Sequence, residues 1–115
     1  MKKQSIGWNP GAPYSKAVKA NGFLYVSGNV SQGDGIQAQT RQVLEQLKKI
    51  VEDAGSSLED AVRCTVYLTN MGDFAAMNEV YKQYFPSEPP TRTTIGVTGL
   101  ARPEFIVEID LIAAL

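Results

Sequence analysis

The sequence predicts an α+β domain: one sheet with two helices packed on one of its faces, in the element order ββαβαββ. Three observations carry that prediction. Residues 36–54 and 74–85 repeat apolar groups at steps of three and four, the period of an amphipathic helix. Residues 61–69, 91–98 and 105–113 are β-rich, and an Asn21-Gly22 dipeptide joins two more strand-like stretches within 16–27. The chain of 115 residues has no internal repeat and no linker, so 1–115 reads as a single domain.

The elements follow in order. Asn21-Gly22 supplies the two positive-φ positions of a type I′ hairpin turn, and Phe23-Leu24-Tyr25-Val26 continues the second strand. Residues 28–35 (GNVSQGDG) are a glycine-punctuated loop. The first helix carries Ile36, Thr40, Val43, Leu44, Leu47, Ile50, Val51 and Ala54 on one stripe, and Gly55 stands where a left-handed cap belongs. Ser57-Leu58-Glu59-Asp60 has the form of a capping box for a single turn. In 61–69, Val62, Cys64, Val66 and Leu68 face one way and Arg63, Thr65, Tyr67 and Thr69 the other. Asp73 is placed to cap the second helix, whose stripe is Phe74, Met77, Tyr81, Tyr84 and Phe85, and Pro86, Pro89 and Pro90 end it. A short loop around Gly99 and Pro103 joins the last two strands.

The helices are expected to cover Leu24, Val26, Val62, Val66, Leu68, Ile95, Val97, Val107, Ile109 and Leu111. The pleat then turns Phe23, Tyr25, Ser27, Arg63, Thr65, Tyr67, Arg92, Thr94, Ile106, Glu108, Asp110 and Ile112 to the second face. That mixture of aromatics, aliphatics, arginines and carboxylates suits an oligomer interface better than open surface.

Composition narrows the function. A hydrophobic fraction of 43% against 20% charged residues is that of a globular chain, not a disordered one. Eleven Lys+Arg against 12 Asp+Glu give a net charge of −1, which argues against a nucleic-acid partner. Lys2, Lys3, Lys16 and Lys19 all precede the first acid, Asp34, and read as a solvated edge. The absence of His excludes a His base, a His-ligated metal and a Ser-His-Asp triad. One cysteine, Cys64, excludes an intrachain disulfide and a multi-cysteine metal site; alternating inward with Val62 and Val66, it is expected to be buried and inert. Lys2-Lys3 is followed by polar residues and no stretch reaches the ~18 apolar residues of a membrane span. The expectation is a soluble cytoplasmic protein with neither metal nor cofactor.

The remaining reagents are carboxylates, Arg, Tyr, Lys and hydroxyls. Arg92 follows Pro89-Pro90-Thr91, which pin its approach, and its planar fork suits a carboxylate. Glu108 and Asp110 flank Ile109, and either can orient a water as a base. On residues alone, Arg92 with Glu108 reads as a structural salt bridge. Gly28 and Gly33 give their loop exposed amides, but it matches no phosphate-binding pattern.

Six segments, in order, resemble the RidA (YjgF) family of reactive imine and enamine deaminases: APYSKAV, FLYVSGNV, the run from Gln39 to Phe74, MNEVYKQYF, PPTRTTIGV and VEIDLIA. The likeness runs from about Pro10 to Ala113. It implies a chorismate-mutase-like fold, a homotrimer with a site between subunits, and hydrolysis of 2-imino or enamino acids (2-aminoacrylate or 2-iminopropionate type) to 2-keto acids and ammonia. By resemblance, Arg92 clamps the substrate carboxylate and Glu108 positions the hydrolytic water. Tyr14, reaching in from a neighbouring subunit, and Ser27 with Gly28 help bind substrate. The chain departs from the family at Thr94, where relatives acting on 2-aminoacrylate often have Cys, at Lys16 in place of the common Gln, in the loop after Gly28, which lacks the usual Pro, and in an Arg92–Glu108 spacing one residue longer than common. Two other readings remain open: an endoribonuclease or translation inhibitor, and a non-catalytic trimer that binds small acids or a protein.

Overall fold

The structure is a computed structural model that describes all 115 residues. Six strands, β1 (Gln4–Ile6), β2 (Ala17–Ala20), β3 (Phe23–Asn29), β4 (Ala61–Leu68), β5 (Thr91–Gly96) and β6 (Val107–Ala114), form one sheet in the order β1-β2-β3-β6-β4-β5. Helices α1 (Ile36–Asp53) and α2 (Phe74–Tyr84) lie on one face. The expected elements are all present, with β1 in addition; its three residues are too few to show an alternation, and it is recruited as an edge by pairing with β2.

Local chemistry explains the connections. Asn21 and Gly22 have φ of 53° and 81°, the left-handed pair that a type I′ turn needs. At the end of α1, Gly55 takes φ 92°; its N–H donates to Glu52 O (3.1 Å) and that of Ser56 to Val51 O (2.8 Å), a Schellman motif. Strands β4 and β5 run parallel, which requires a crossover, and α2 supplies it. Leu24, Leu44, Leu47, Val66, Met77 and Ile109 are fully buried in the core between sheet and helices, each contributing about 1.5–3 kcal/mol of apolar burial.

Several expectations are corrected. Val62 is exposed because β4 bulges between Ala61 and Arg63; Ala61 takes the buried place instead. On β5 the two faces are exchanged. Arg92 pairs with Cys64 and Thr94 with Val66, so these two join the helix face, while Ile95, opposite Tyr67, turns outward. Val97 lies beyond the strand. One apolar residue, Ile95, in a short edge strand cannot define its register; the parallel pairing with β4 does. Asp73 makes no cap; Asn70 accepts from Gly72 N–H (2.9 Å) at the 3-10 turn leading into α2. Ser57 bonds the Asp60 carboxylate (3.2 Å) rather than the backbone, so the turn at 58–60 forms without a capping box.

Candidate active site

Glu108 stands on the second face of β6 in a row with Tyr67 of β4 and Ile95 of β5. Its neighbour Asp110 accepts a hydrogen bond from the Tyr67 hydroxyl (2.9 Å). The Glu108 carboxylate has no hydrogen-bond or ion-pair partner, and burial, with Asp110 beside it, raises its pKa above the usual carboxylate range. Gly28 explains the burial. It sits where β3 bulges against β6, and a Cβ there would lie 2.8 Å from Glu108 Cδ and overlap the carboxylate itself. With glycine here the β3 backbone passes close beside the Glu108 carboxylate in its present rotamer.

The neighbouring segment is tied by polar contacts. The Ser27 hydroxyl donates to Ser15 O (2.7 Å), and Ser27 N–H to Lys16 O (3.0 Å), which anchors the stretch bearing the exposed Tyr14. Tyr14, Ser27 and Gly28 line a cleft of about 600 Å³ that continues toward Asn29, Gln46 and Ile50. Of the five expected site residues, Tyr14, Ser27 and Gly28 line this cleft, while Glu108 does not line it and lies against Gly28.

Arg92 is not with them. Its guanidinium lies over the rings of Tyr81 (4.7 Å to the centroid) and Phe74 (5.6 Å), on the helix face, with no carboxylate partner. Arg92 pairs with Cys64, Cys64 with Leu111, and Leu111 is three residues from Glu108; two strand spacings and this offset separate the Arg92 and Glu108 Cα atoms by about 14 Å. The salt bridge read from the residues alone does not form.

Residues that the sequence reading missed surround Arg92. Phe74, Asn78 and Tyr81 fall at i, i+4 and i+7 on α2, so Asn78 lies between the two rings that Arg92 covers. Asn78 Oδ1, the Tyr81 hydroxyl and Thr94 Oγ1 are buried without a hydrogen-bond partner. Tyr81 lies beside the Cys64 thiol, its hydroxyl without a hydrogen-bond partner; burial pushes Cys64 up to about 11 and Tyr81 well above its usual value. Cys64 is fully buried, as expected of an inert thiol. Unmet hydrogen-bonding capacity gathered around one unpaired guanidinium belongs to a ligand site more than to a core. The i, i+4, i+7 spacing was the available signal, masked because aromatic stripes ordinarily mean core.

Gln39 was also missed. Only 3% exposed, it donates to Gly33 O (3.2 Å) and Glu104 O (2.8 Å) and accepts from Ile106 N–H (3.0 Å), stitching the glycine loop to the entry of β6. A Cβ on Gly33 would meet Gln39 at 3.0 Å, so this glycine serves close packing. No group of three or more metal-ligating side chains converges, and no helix is long and apolar enough to cross a membrane.

The chain is a small α+β domain with charged side chains left unpaired on both faces of its sheet. The family model described as Endoribonuclease L-PSP matches residues 6–115. A RutC family protein of Pyrococcus horikoshii is 45% identical over 113 residues, covering 90% of this chain and 88% of that protein. The fission yeast (Schizosaccharomyces pombe) protein Mmf2, mitochondrial by name, is 44% identical over 112 residues, covering 90% of this chain and 89% of that protein. A crystal structure of a YjgF family member from Neisseria meningitidis superposes with a TM-score of 0.92 at 35% identity, covering 99% of this chain and 95% of that one. The chain belongs to the YjgF/RidA family.

Proposed function

We propose that the protein is a deaminase hydrolysing 2-imino and enamino acids of the 2-aminoacrylate or 2-iminopropionate type to 2-keto acids and ammonia, in sites shared between subunits of a homotrimer. The observation that carries this reading is the pair of unpartnered charges, the Arg92 guanidinium on its aromatic rings and the Glu108 carboxylate under Gly28. A buried or half-buried charge without a protein partner is costly to maintain, and a small carboxylate substrate with an attacking water supplies partners for both.

The chemistry asks little. The substrate is already electrophilic at C2, so holding it and activating water suffice, and no step needs a cofactor. Arg92 clamps the carboxylate through two parallel hydrogen bonds. Glu108 takes a proton from water as its oxygen bonds to C2 and the imine nitrogen gains a proton. The carbinolamine collapses to the 2-keto acid, breaking the C–N bond and releasing ammonia. One such general base contributes about 10²–10⁴-fold. Tyr14, Ser27 and Gly28 shape the substrate side of the cleft.

Two features support a shared site. A three-carbon acid cannot span about 14 Å and a sheet to meet Arg92 and Glu108 of one copy. The second face also exposes Phe23, Tyr25 and Ile95 at 38–45%, an apolar patch that suits cover by another copy. The compartment we assign is the cytoplasm, in keeping with an unpaired thiol. The family description's endoribonuclease is disfavoured by the lack of His and the net charge of −1. The test is ammonia or keto-acid release from a panel of enzymatically generated imines, with single-stranded RNA alongside. Turnover of small 2-imino acids is expected; RNA cleavage with no imine turnover would reverse the assignment.

A further inference from the structure

A chain of side-chain hydrogen bonds runs from α1 to the β3 bulge. Gln46 Nε2 donates to Asn29 Oδ1 (3.1 Å) and to Val30 O (3.1 Å). Asn29 Nδ2 in turn donates to Ser27 O (2.9 Å), the carbonyl of the Ser27–Gly28 peptide. Both amides have their polar atoms committed in one direction: turning either one would set donor against donor or acceptor against acceptor. A bulge is where a ladder's own hydrogen bonds lapse, so a peptide there needs outside support to keep one orientation. The supported peptide is the one that leaves no room for a Cβ against Glu108.

We infer that Gln46 and Asn29 are positioning residues that hold the Ser27–Gly28 peptide against the Glu108 carboxylate and so keep it covered. This deepens the deaminase reading and rests on it only for its effect on turnover. Around Glu108, β6 presents Asp110 and β4 presents Tyr67, while the facing bulge residues of β3 are not titratable. Asp110 is already engaged by Tyr67, so the cover from β3 is the part of this environment that Gln46 and Asn29 control. Loosening it admits water to Glu108 and favours the ionised form.

The experiment follows the ¹³C signal of the Glu108 carboxyl through a pH titration of the assembled protein, assigned by its loss in Glu108→Gln. In Gln46→Leu, which keeps volume but removes the donors, and separately in Asn29→Ala, the midpoint is expected to fall toward the ordinary carboxylate range. Wherever wild-type turnover is measurable, kcat falls roughly tenfold or more with less change in KM, and the double variant is no worse than the poorer single one. Gln37→Ala, an exposed position on the same helix, serves as the control and leaves both readouts unchanged. A Glu108 midpoint identical to wild type in folded Gln46→Leu and Asn29→Ala overturns the inference. Absence of wild-type imine turnover instead overturns the deaminase reading, and the titration still decides this one.

Discussion

Glu108 is kept in an environment that works against folding and, in the proposed reaction, for chemistry. Its pKa is raised by burial, so the native state holds this proton more tightly than the unfolded chain does. The stability this group contributes is therefore full at pH below the unfolded carboxylate pKa and is lost as pH rises through the raised native value. Glu108→Gln should melt at or above wild type at neutral pH while imine hydrolysis falls ~10²-fold or more, and it should still bind pyruvate calorimetrically, since Arg92 remains. The wild-type rate should fall on acidification with a midpoint above the ordinary carboxylate range. Arg92 makes the contrasting case. Arg92→Ala should lose about 3 kcal/mol of transition-state stabilisation, roughly a hundredfold in kcat/KM, and only about 0.5–1 kcal/mol of stability from its ring contacts. Arg92→Lys should fail similarly, since an ammonium cannot make the fork. Unchanged turnover per folded molecule in Arg92→Ala would make the residue structural.

At the scale of elements, strong local chemistry is what could be read. The hairpin at Asn21-Gly22 and the cap at Gly55 are stereochemical requirements of particular φ values, visible in the residue type. Gly55→Ala forces a Cβ into a left-handed position and should cost about 1 kcal/mol, lowering the thermal midpoint by about 4 °C at matched protein concentration. No change would mean that the helix end relaxes without the motif. What could not be read is the placement of β5. Its register comes from a parallel partner distant in sequence, and its residues Thr91–Gly96 carry too little apolar pattern to declare a face. That single undetermined register moved Arg92 from beside Glu108 to the other side of the sheet. Val62 failed for a related reason, because a bulge inserts one residue that alternation cannot anticipate.

For the whole molecule, the candidate site was legible as a set of residue types but not as a geometry. Tyr14, Ser27 and Gly28 line one cleft and Glu108 lies against Gly28; Arg92 belongs to a second cluster with Asn78 and Tyr81. One chain thus carries two groups of residues on opposite faces, and the proposed cyclic assembly would join the group from one copy to the group from the next. Light scattering after size exclusion should give about three times the 12.5 kDa chain mass; a stable monomer at micromolar concentration would remove the shared site. The most direct test mixes the two inactive variants. Arg92→Ala and Glu108→Gln chains, unfolded together in equal amounts and refolded, should regain about a quarter of wild-type turnover, because a random ring pairs an intact Arg92 with a neighbour's intact Glu108 at about one interface in four. Activity no greater than the sum of the two variants alone would contradict a site built from both copies.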